Sequence, residues 1–298
     1  MSLYEQGYST GDVSLLALFD GAFEPKPANT NLQNYADWIC RGGWPASTNY
    51  PIDSALYIPD QYLQALYFDN APRDRLTPDT LRRIVSSLAK NSGATANINT
   101  LISDISSSMP DSDAKPARNT VSTYLNYLLS LYIVEDLGGW GAPIKSRARL
   151  RSKPKRYFVD PSLPASAMGL NPQRLLQESQ IFGTLFETLA LRDLRVYTSA
   201  FASTVRPELF YYRDDKGLEV DVIIELNDGR WGAIEIKLGE NKADEAAKAL
   251  LSLKKLAIEN PYSQQQEPSF LMVLVANAAF AHQRPDGVYV VPLTMLGA

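Results

Sequence analysis

Cysteine and histidine are almost missing from this chain: Cys40 and His282 are the only ones in 298 residues. A single cysteine excludes an internal disulfide. A single histidine leaves no Cys/His set for a four-ligand zinc site and nearly excludes histidine-centred chemistry. Phosphate-cradling and nucleophile motifs are absent too, with no G-x-x-x-x-G-K-[ST], no G-x-G-x-x-G after a strand and no G-x-S-x-G. No nucleotide is therefore expected to be held by this chain alone. The longest apolar run, FLMVLVANAAFA, is too short to span a bilayer, and the polar start MSLYEQGYST does not read as a signal peptide. A reduced, cytoplasmic setting without a membrane is expected. A net charge of -4 is mild, so any hold on nucleic acid has to come from a local cluster.

What is present is enough apolar material, 45%, for two or three cores at this length. Residues 1–75 read as a helical and loop segment, with helical spacing at Leu32 to Trp38 and at Ala55 to Phe68 around the turn RGGWP. Trp44 and the tyrosines Tyr50, Tyr57, Tyr62 and Tyr67 read as core packing in preference to an aromatic binding surface. From 76 to 165 a second segment opens with Thr77-Pro78-Asp79, a helix start with a capping hydroxyl, proline at the first position and an early acid. A second helix fits Thr100 to Ser107, and a third begins near Ala117 and carries Val121, Tyr124, Leu125, Leu128 and Leu129 on one face. Strands at Tyr132 to Leu137 and Arg156 to Asp160 follow, which is the order of a winged helix-turn-helix. Its third helix would turn Arg118, Asn119, Thr120 and Thr123 outward, either toward nucleic acid or simply to cap and solvate the helix.

Between those strands lies KSRARLRSKPKR, with Lys145, Arg147, Arg149, Arg151, Lys153 and Lys155 at alternate positions and Arg156 at the end. An extended chain would point the alternating six one way, as a stripe roughly 33 Å long that can follow a phosphate backbone. The alternative is a solvated loop, or a stripe neutralised by acids of a partner.

Residues 166–298 read as an α/β sandwich. Its elements are a helix at Gln177 to Tyr197, strands at Leu209 to Tyr212, Leu218 to Leu226 and Trp231 to Leu238, a helix at Ala243 to Glu259, and strands at Phe270 to Val275 and Val288 to Leu293. In EVDVIIE, alternation puts Val220, Val222, Ile224 and Leu226 on one face and Glu219, Asp221, Ile223 and Glu225 on the other; in AIEIK, Glu235 and Lys237 share a face. A two-residue turn at Asp228-Gly229 would split the acids, whereas a three-residue loop, Asn227-Asp228-Gly229, pairs Leu226 with Arg230 and sets Asp221 opposite Glu235 and Glu219 opposite Lys237. Keeping the apolar faces together selects the second register. Two adjacent carboxylates need a cation between them, and Mg²⁺ suits the pair. Lys237 offers a structural ion pair instead. Glu187 falls on an apolar flank of its helix with Gly183, Ala190, Leu191 and Leu194, which points it either to the same site or to Arg192.

The stretches MSLYEQGYSTGDVSLLALFDG, RGGWP, KPKRYFVDPSL, FGTLFETLALRDL and YYRDDKGLEVDVIIE with AIEIK resemble the bacterial and archaeal AAA-type ATPases that carry the C-terminal region DUF4143. The resemblance runs over the whole chain. It implies a winged helix followed by a restriction-endonuclease-like PD-(D/E)xK domain, normally placed after an ATPase core whose P-loop half is missing here. A truncated protein or a fragment, without ATPase activity of its own, is then expected. By position the superfamily pattern falls on Glu187, Asp221, Glu235 and Lys237, which implies that Asp221 and Glu235 would hold Mg²⁺ or Mn²⁺, that the Ile236 carbonyl could add a ligand, that Glu187 would support the site, and that Lys237 would orient the attacking water or stabilise charge on the phosphate. The expected function is nucleic-acid binding with a metal-dependent phosphodiesterase site. The alternative is a non-enzymatic module that docks an ATPase to DNA or to a protein partner.

Overall fold

The computed structural model describes residues 1–68, 77–107, 115–141, 153–202, 204–259 and 267–298. Among them the strands are β1 (Val13–Ser14), β2 (Lys26–Pro27), β3 (Val134–Leu137), β4 (Lys155–Phe158), β5 (Glu208–Arg213), β6 (Glu219–Glu225), β7 (Trp231–Gly239), β8 (Phe270–Asn277), β9 (Phe280–Gln283), β10 (Tyr289–Pro292) and β11 (Leu296–Gly297). The α-helices are α1 (Leu15–Phe19), α2 (Leu32–Arg41), α3 (Ile52–Ala55), α4 (Tyr57–Phe68), α5 (Pro78–Lys90), α6 (Ile98–Ser107), α7 (Arg118–Ser130), α8 (Ser162–Ala167), α9 (Pro172–Gln177), α10 (Ser179–Ser199) and α11 (Ala243–Glu259). The fold is mixed α and β. The chain gathers into two compact units of interleaved stretches: Met1–Tyr35, Leu137–Pro154 and Leu189–Ala298 form one, Ala36–Asp136 and Lys155–Thr188 the other. No helix among the described residues is long and apolar enough to cross a membrane.

The first unit is built on a seven-stranded sheet in the order β2-β9-β10-β8-β7-β6-β5. Strands β7, β8 and β10 are parallel neighbours, while β5, β6 and β7 are joined antiparallel. A parallel pair needs a crossover, and α11 supplies it between β7 and β8. Its alanine and leucine stripe, Ala243, Ala246, Ala247, Leu250, Leu253 and Ala257, packs with Trp231, Ala233, Leu271, Val273 and Val290 of the sheet. Alanines at this spacing hold the helix close without crowding the branched strand residues. On the other face Gly232 makes room for a ring: a Cβ there would lie 2.3 Å from Phe270, which also meets Phe19 edge-on at 5.1 Å.

The first residues of the chain belong to this same unit. Strand β1 runs parallel to β11, Thr10 N–H donates to the Thr294 carbonyl at 2.8 Å, and Leu3 N–H donates to Asp193 Oδ2 at 2.9 Å. Asp193 is fully buried beside Arg192, whose Nη2 is 2.8 Å from Oδ1, and Tyr197 donates to Oδ2 at 3.3 Å. Burial raises this carboxyl's pKa, and the Arg192 charge and the Leu3 and Tyr197 donors oppose the rise.

The second unit has the expected order of three helices, α5, α6 and α7, followed by the two-stranded sheet β3-β4. Leu81, Ile84, Leu88, Leu101, Ile105, Val121, Leu125 and Leu128 close its core with Val134 and Phe158. Helix α5 starts at Pro78 as the sequence predicts, although the Thr77 hydroxyl donates to Thr80 Oγ1 and makes no capping bond. Helix α7 ends by a two-bond reversal: Ile133 N–H reaches the Leu128 carbonyl at 3.0 Å and Tyr132 N–H the Leu129 carbonyl at 3.1 Å. That reversal requires a left-handed residue, usually glycine, and here it is Tyr132 at φ 54, which costs about 1 kcal/mol.

The RGGWP and VDPS stretches meet in this unit. Asp160 accepts from Gly43 N–H at 2.8 Å and Ser162 N–H at 2.9 Å, and the Trp44 indole donates to Ser162 Oγ at 2.9 Å. Gly42, at φ 75, lies so close that a Cβ would collide with Asp160, Ser162 and Trp44. The reading of the aromatics as core holds for Tyr67 and fails for Tyr50, Tyr57 and Tyr62, which are exposed. Helix α4 turns Leu63, Leu66 and Tyr67 inward, which leaves Tyr57 and Tyr62 on its outer side.

Two stability predictions follow from these contacts. Gly232→Ala is expected to cost about 1–3 kcal/mol by overpacking against Phe270, read as a lower urea midpoint. Asp193→Ala, which strands a buried guanidinium and the Leu3 N–H, is expected to cost about 3–5 kcal/mol in the same measurement.

Candidate functional site

The hairpin at 219–237 uses the three-residue loop. Leu226 N–H donates to the Arg230 carbonyl at 2.8 Å, Gly229 N–H donates to the Leu226 carbonyl at 3.0 Å, and Gly229 takes φ 90. Asp228 fixes the loop by accepting from the Arg230 N–H at 3.0 Å and from its Nε at 2.8 Å. The ladder then runs Glu225↔Trp231, Ile224↔Gly232, Ile223↔Ala233 and Val222↔Ile234. Carried one step further, this register would set Asp221 opposite Glu235, but the paired residues end at Val222↔Ile234.

At that step the ladder changes character. On the β5 side Phe210 pairs with Ile223 but Tyr212 pairs with Val220, so Asp221 and Val222 together oppose Tyr211 in a β-bulge. The bulge breaks the strict alternation expected of β6: Val220 packs in the same apolar cluster as Ile223, not on the opposite face with Val222. It also gives Asp221 a backbone role, because Asp221 Oδ2 accepts the Ile236 N–H at 2.9 Å. The side chain supplies an acceptor where the regular ladder has ended.

Three charged groups meet there. Lys237 Nζ lies 2.5 Å from Glu235 Oε2 and 3.5 Å from Asp221 Oδ2. Both carboxylates are buried, at 5% and 8% exposure, while the lysine side chain keeps 29%. Like charges this close destabilise each other without a cation, and the ammonium supplies one. Among the described residues no group of three or more His, Cys, Asp or Glu side chains is placed to hold a metal. Two carboxylates and a carbonyl are nonetheless a donor set suited to a hard cation that retains water.

The remaining acids of the hairpin have other partners. Glu219, expected opposite Lys237, lies 3.8 Å from Arg213 Nη1, its cross-strand neighbour on β5. Glu225 accepts from the Trp140 indole at 3.1 Å, and Trp140 packs on Trp231 at 4.9 Å. Tyr211 N–H donates to the Gly138 carbonyl, and its own carbonyl accepts from Trp140 N–H. Trp140 is a residue that the sequence reading passed over. A tryptophan set among the glycines of GGWG is the signal that marks a packed connector.

Glu187 belongs to the second unit and is held within it. Tyr157 donates to Glu187 Oε1 at 2.5 Å, and Lys155 Nζ is 3.6 Å from the same oxygen. Lys155 is therefore buried, at 4% exposure, whereas Lys153 is exposed. The expectation that these two point the same way is corrected by this inward pairing with Glu187. Arg156 is also engaged, with Nε 2.7 Å and Nη2 3.2 Å from the two Asp136 oxygens. Lys145, Arg147, Arg149 and Arg151 lie outside the described residues. On α7, Arg118, Asn119, Thr120 and Thr123 are exposed as expected. The single cysteine, Cys40, is buried with its thiol pushed up to about 12, which leaves it unreactive.

Residues 182–296 match the family model described as a domain of unknown function, DUF4143, and residues 32–174 match the one described as a domain of unknown function, DUF8612. The first match takes in the whole bulged hairpin; the second takes in α5, α6, α7 and both strands of the small sheet. No curated protein and no solved structure matches the chain.

Asp221 combines a charge with an acceptor, and substitution separates the two. Asp221→Asn keeps an oxygen for the Ile236 N–H, so Asp221→Ala is expected to be less stable than Asp221→Asn by about 1–2 kcal/mol in chemical denaturation. Equal stabilities would mean that the bond to Ile236 carries no weight.

Proposed function

We propose that the chain is a nucleic-acid-binding protein whose sheet unit carries a metal-dependent phosphodiester-cleaving site of the PD-(D/E)xK type, and whose second unit serves as a winged helix. The observation that carries the reading is the convergence of the buried Asp221 and Glu235 carboxylates on Lys237 across a bulged hairpin. A β-bulge at one acid, with two acids and a lysine drawn together, departs from what a stable sheet needs and is characteristic of a working site.

In this reading Asp221, Glu235 and the Ile236 carbonyl hold Mg²⁺ or Mn²⁺, which when bound polarises the phosphoryl group and makes water a better nucleophile. Asp221 is oriented by the Ile236 N–H. Lys237 is the partly exposed member of the trio and the one able to reach a phosphate, where its ammonium either orients the attacking water or stabilises the charge that builds on the oxygens. The exposed N-terminal residues of α7, Arg118, Asn119 and Thr120, and the basic stretch around Lys153 supply contacts to the nucleic acid. The chain serves an AAA-type ATPase and works in the cytoplasm.

A second reading is a docking module without catalysis, joining an ATPase to DNA or to a protein. The close Lys237–Glu235 pair favours it, since the ammonium already balances one of the two acids. Calorimetry and cleavage assays separate the two. Under the first reading the wild-type chain binds Mn²⁺, and Asp221→Asn abolishes the heat. The wild type also nicks single- or double-stranded DNA or RNA with Mg²⁺ or Mn²⁺, and Lys237→Ala slows the cut by at least about a hundredfold. A wild-type chain that takes up no metal and yields no product is the docking module.

A further inference from the structure

Strand β7 carries Glu235 and Lys237 and then runs on into a cleft. Lys237 and Gly239 are alternate residues and share a face, so the cleft begins two residues past the lysine, about 7 Å at ~3.3 Å per residue. The parallel ladder with β8 ends there, at Gly239↔Asn277. Beyond it opens a cavity of about 530 Å³, walled by Glu240 and Asn241 after β7, Asn277 at the end of β8, and Asn29 and Thr30 after β2. All of these lie within the sheet unit. The space outside the carboxyl ends of parallel strands is where open α/β sheets hold their ligands.

The lining is shaped for contact. Gly239 is extended, at φ -142, so its backbone does not call for glycine; space does, because a Cβ would lie 2.8 Å from Asn241 Oδ1. A bare strand position of this kind marks a close approach. The Asn241 side chain lies over it and makes no hydrogen bond among the described residues, and neither does that of Asn29. The Thr30 hydroxyl donates to Asn277 Oδ1 at 2.7 Å, which fixes that amide and leaves its nitrogen unused. No lysine or arginine is among the described residues of the lining, so the cavity is not a phosphate cradle. Phe280, 55% exposed, follows Ala279 of the lining and shares a face of β9 with His282, whose Nε2 is 3.7 Å from Glu240 Oε1.

We infer that this cleft takes one unpaired nucleoside of the strand whose phosphate lies at Lys237, with Phe280 stacking on the base and the Asn241 and Asn277 amides bonding its edge. The inference rests on nucleic-acid binding at the trio, as in the proposed function, and adds strandedness to it. An amide carries a donor and an acceptor side by side, the complement of a base edge, and every base has a face to lay on a ring. The lysine favours a strand over a free small molecule, because it takes the phosphate to which the nucleoside is joined. A base inside a duplex reaches such a cleft only when it is unpaired and unstacked.

The test is fluorescence anisotropy of the full chain with a labelled DNA strand of about 12 nucleotides and with its duplex, using Ca²⁺ in place of Mg²⁺ as the hard cation. The wild type is expected to hold the single strand at least about fivefold more tightly than the duplex. Phe280→Ala and Asn241→Ala are each expected to lose about fivefold to tenfold for the single strand while duplex affinity and Tm stay as they are. Equal affinity for the two forms, or wild-type single-strand affinity in both variants, overturns the inference and leaves the proposed cleavage site standing. Adenosine that binds as tightly as the strand overturns it as well, because the ligand is then a free nucleoside. The expected losses in a chain that never cuts uphold the cleft and sink only the catalysis, whereas a chain that binds no nucleic acid overturns both.

Discussion

The three-residue loop at Asn227–Gly229 is the constraint on which the site depends. Strand side chains alternate, so a loop shorter by one residue would turn either Asp221 or Glu235 to the other face and put a carboxylate into an apolar layer. The left-handed Gly229 and the Asp228 contacts to Arg230 fix the count at the turn. The bulge at Asp221–Val222 then loosens the count once, at the place where an acid is wanted. Register is strict along the apolar stretch and relaxed at the charged end.

The parts legible in the sequence are those with strong periodicity or strong turn chemistry. Helix α11 was readable from its alanine and leucine spacing, α5 from Thr77-Pro78-Asp79, and the hairpin register from burial applied to alternative loops. The bulge was not readable, because a strand with one extra residue has the same composition as a regular one. Nor was the place of the first residues, since β1 and β11 are two-residue strands whose pairing rests on backbone bonds that no side-chain pattern announces. The burial of Lys155 escaped as well: Glu187 and Tyr157, which draw it inward, are far from it or ambiguous in a reading by alternation. Charge along a stretch shows what is available to a phosphate, but only partners show what has already been taken.

The same lesson applies to the trio at the end of the hairpin. An ammonium beside two buried carboxylates offsets one of their charges and relieves their repulsion, and the cost of removing it lies in the charges left behind more than in the pair itself. Lys237 is the structural counter-ion of the trio, and it alone of the three keeps substantial contact with solvent.

The two outer strands of the large sheet face a different hazard, since an open strand edge offers unpaired backbone groups to any other chain. Strand β5 is partly covered where Tyr211 bonds to Gly138 and Trp140. At the far side β2 is two residues long and one of them, Pro27, has no N–H to offer. Neither border is a good template for a foreign strand, so this sheet is guarded against edge-to-edge aggregation at both ends.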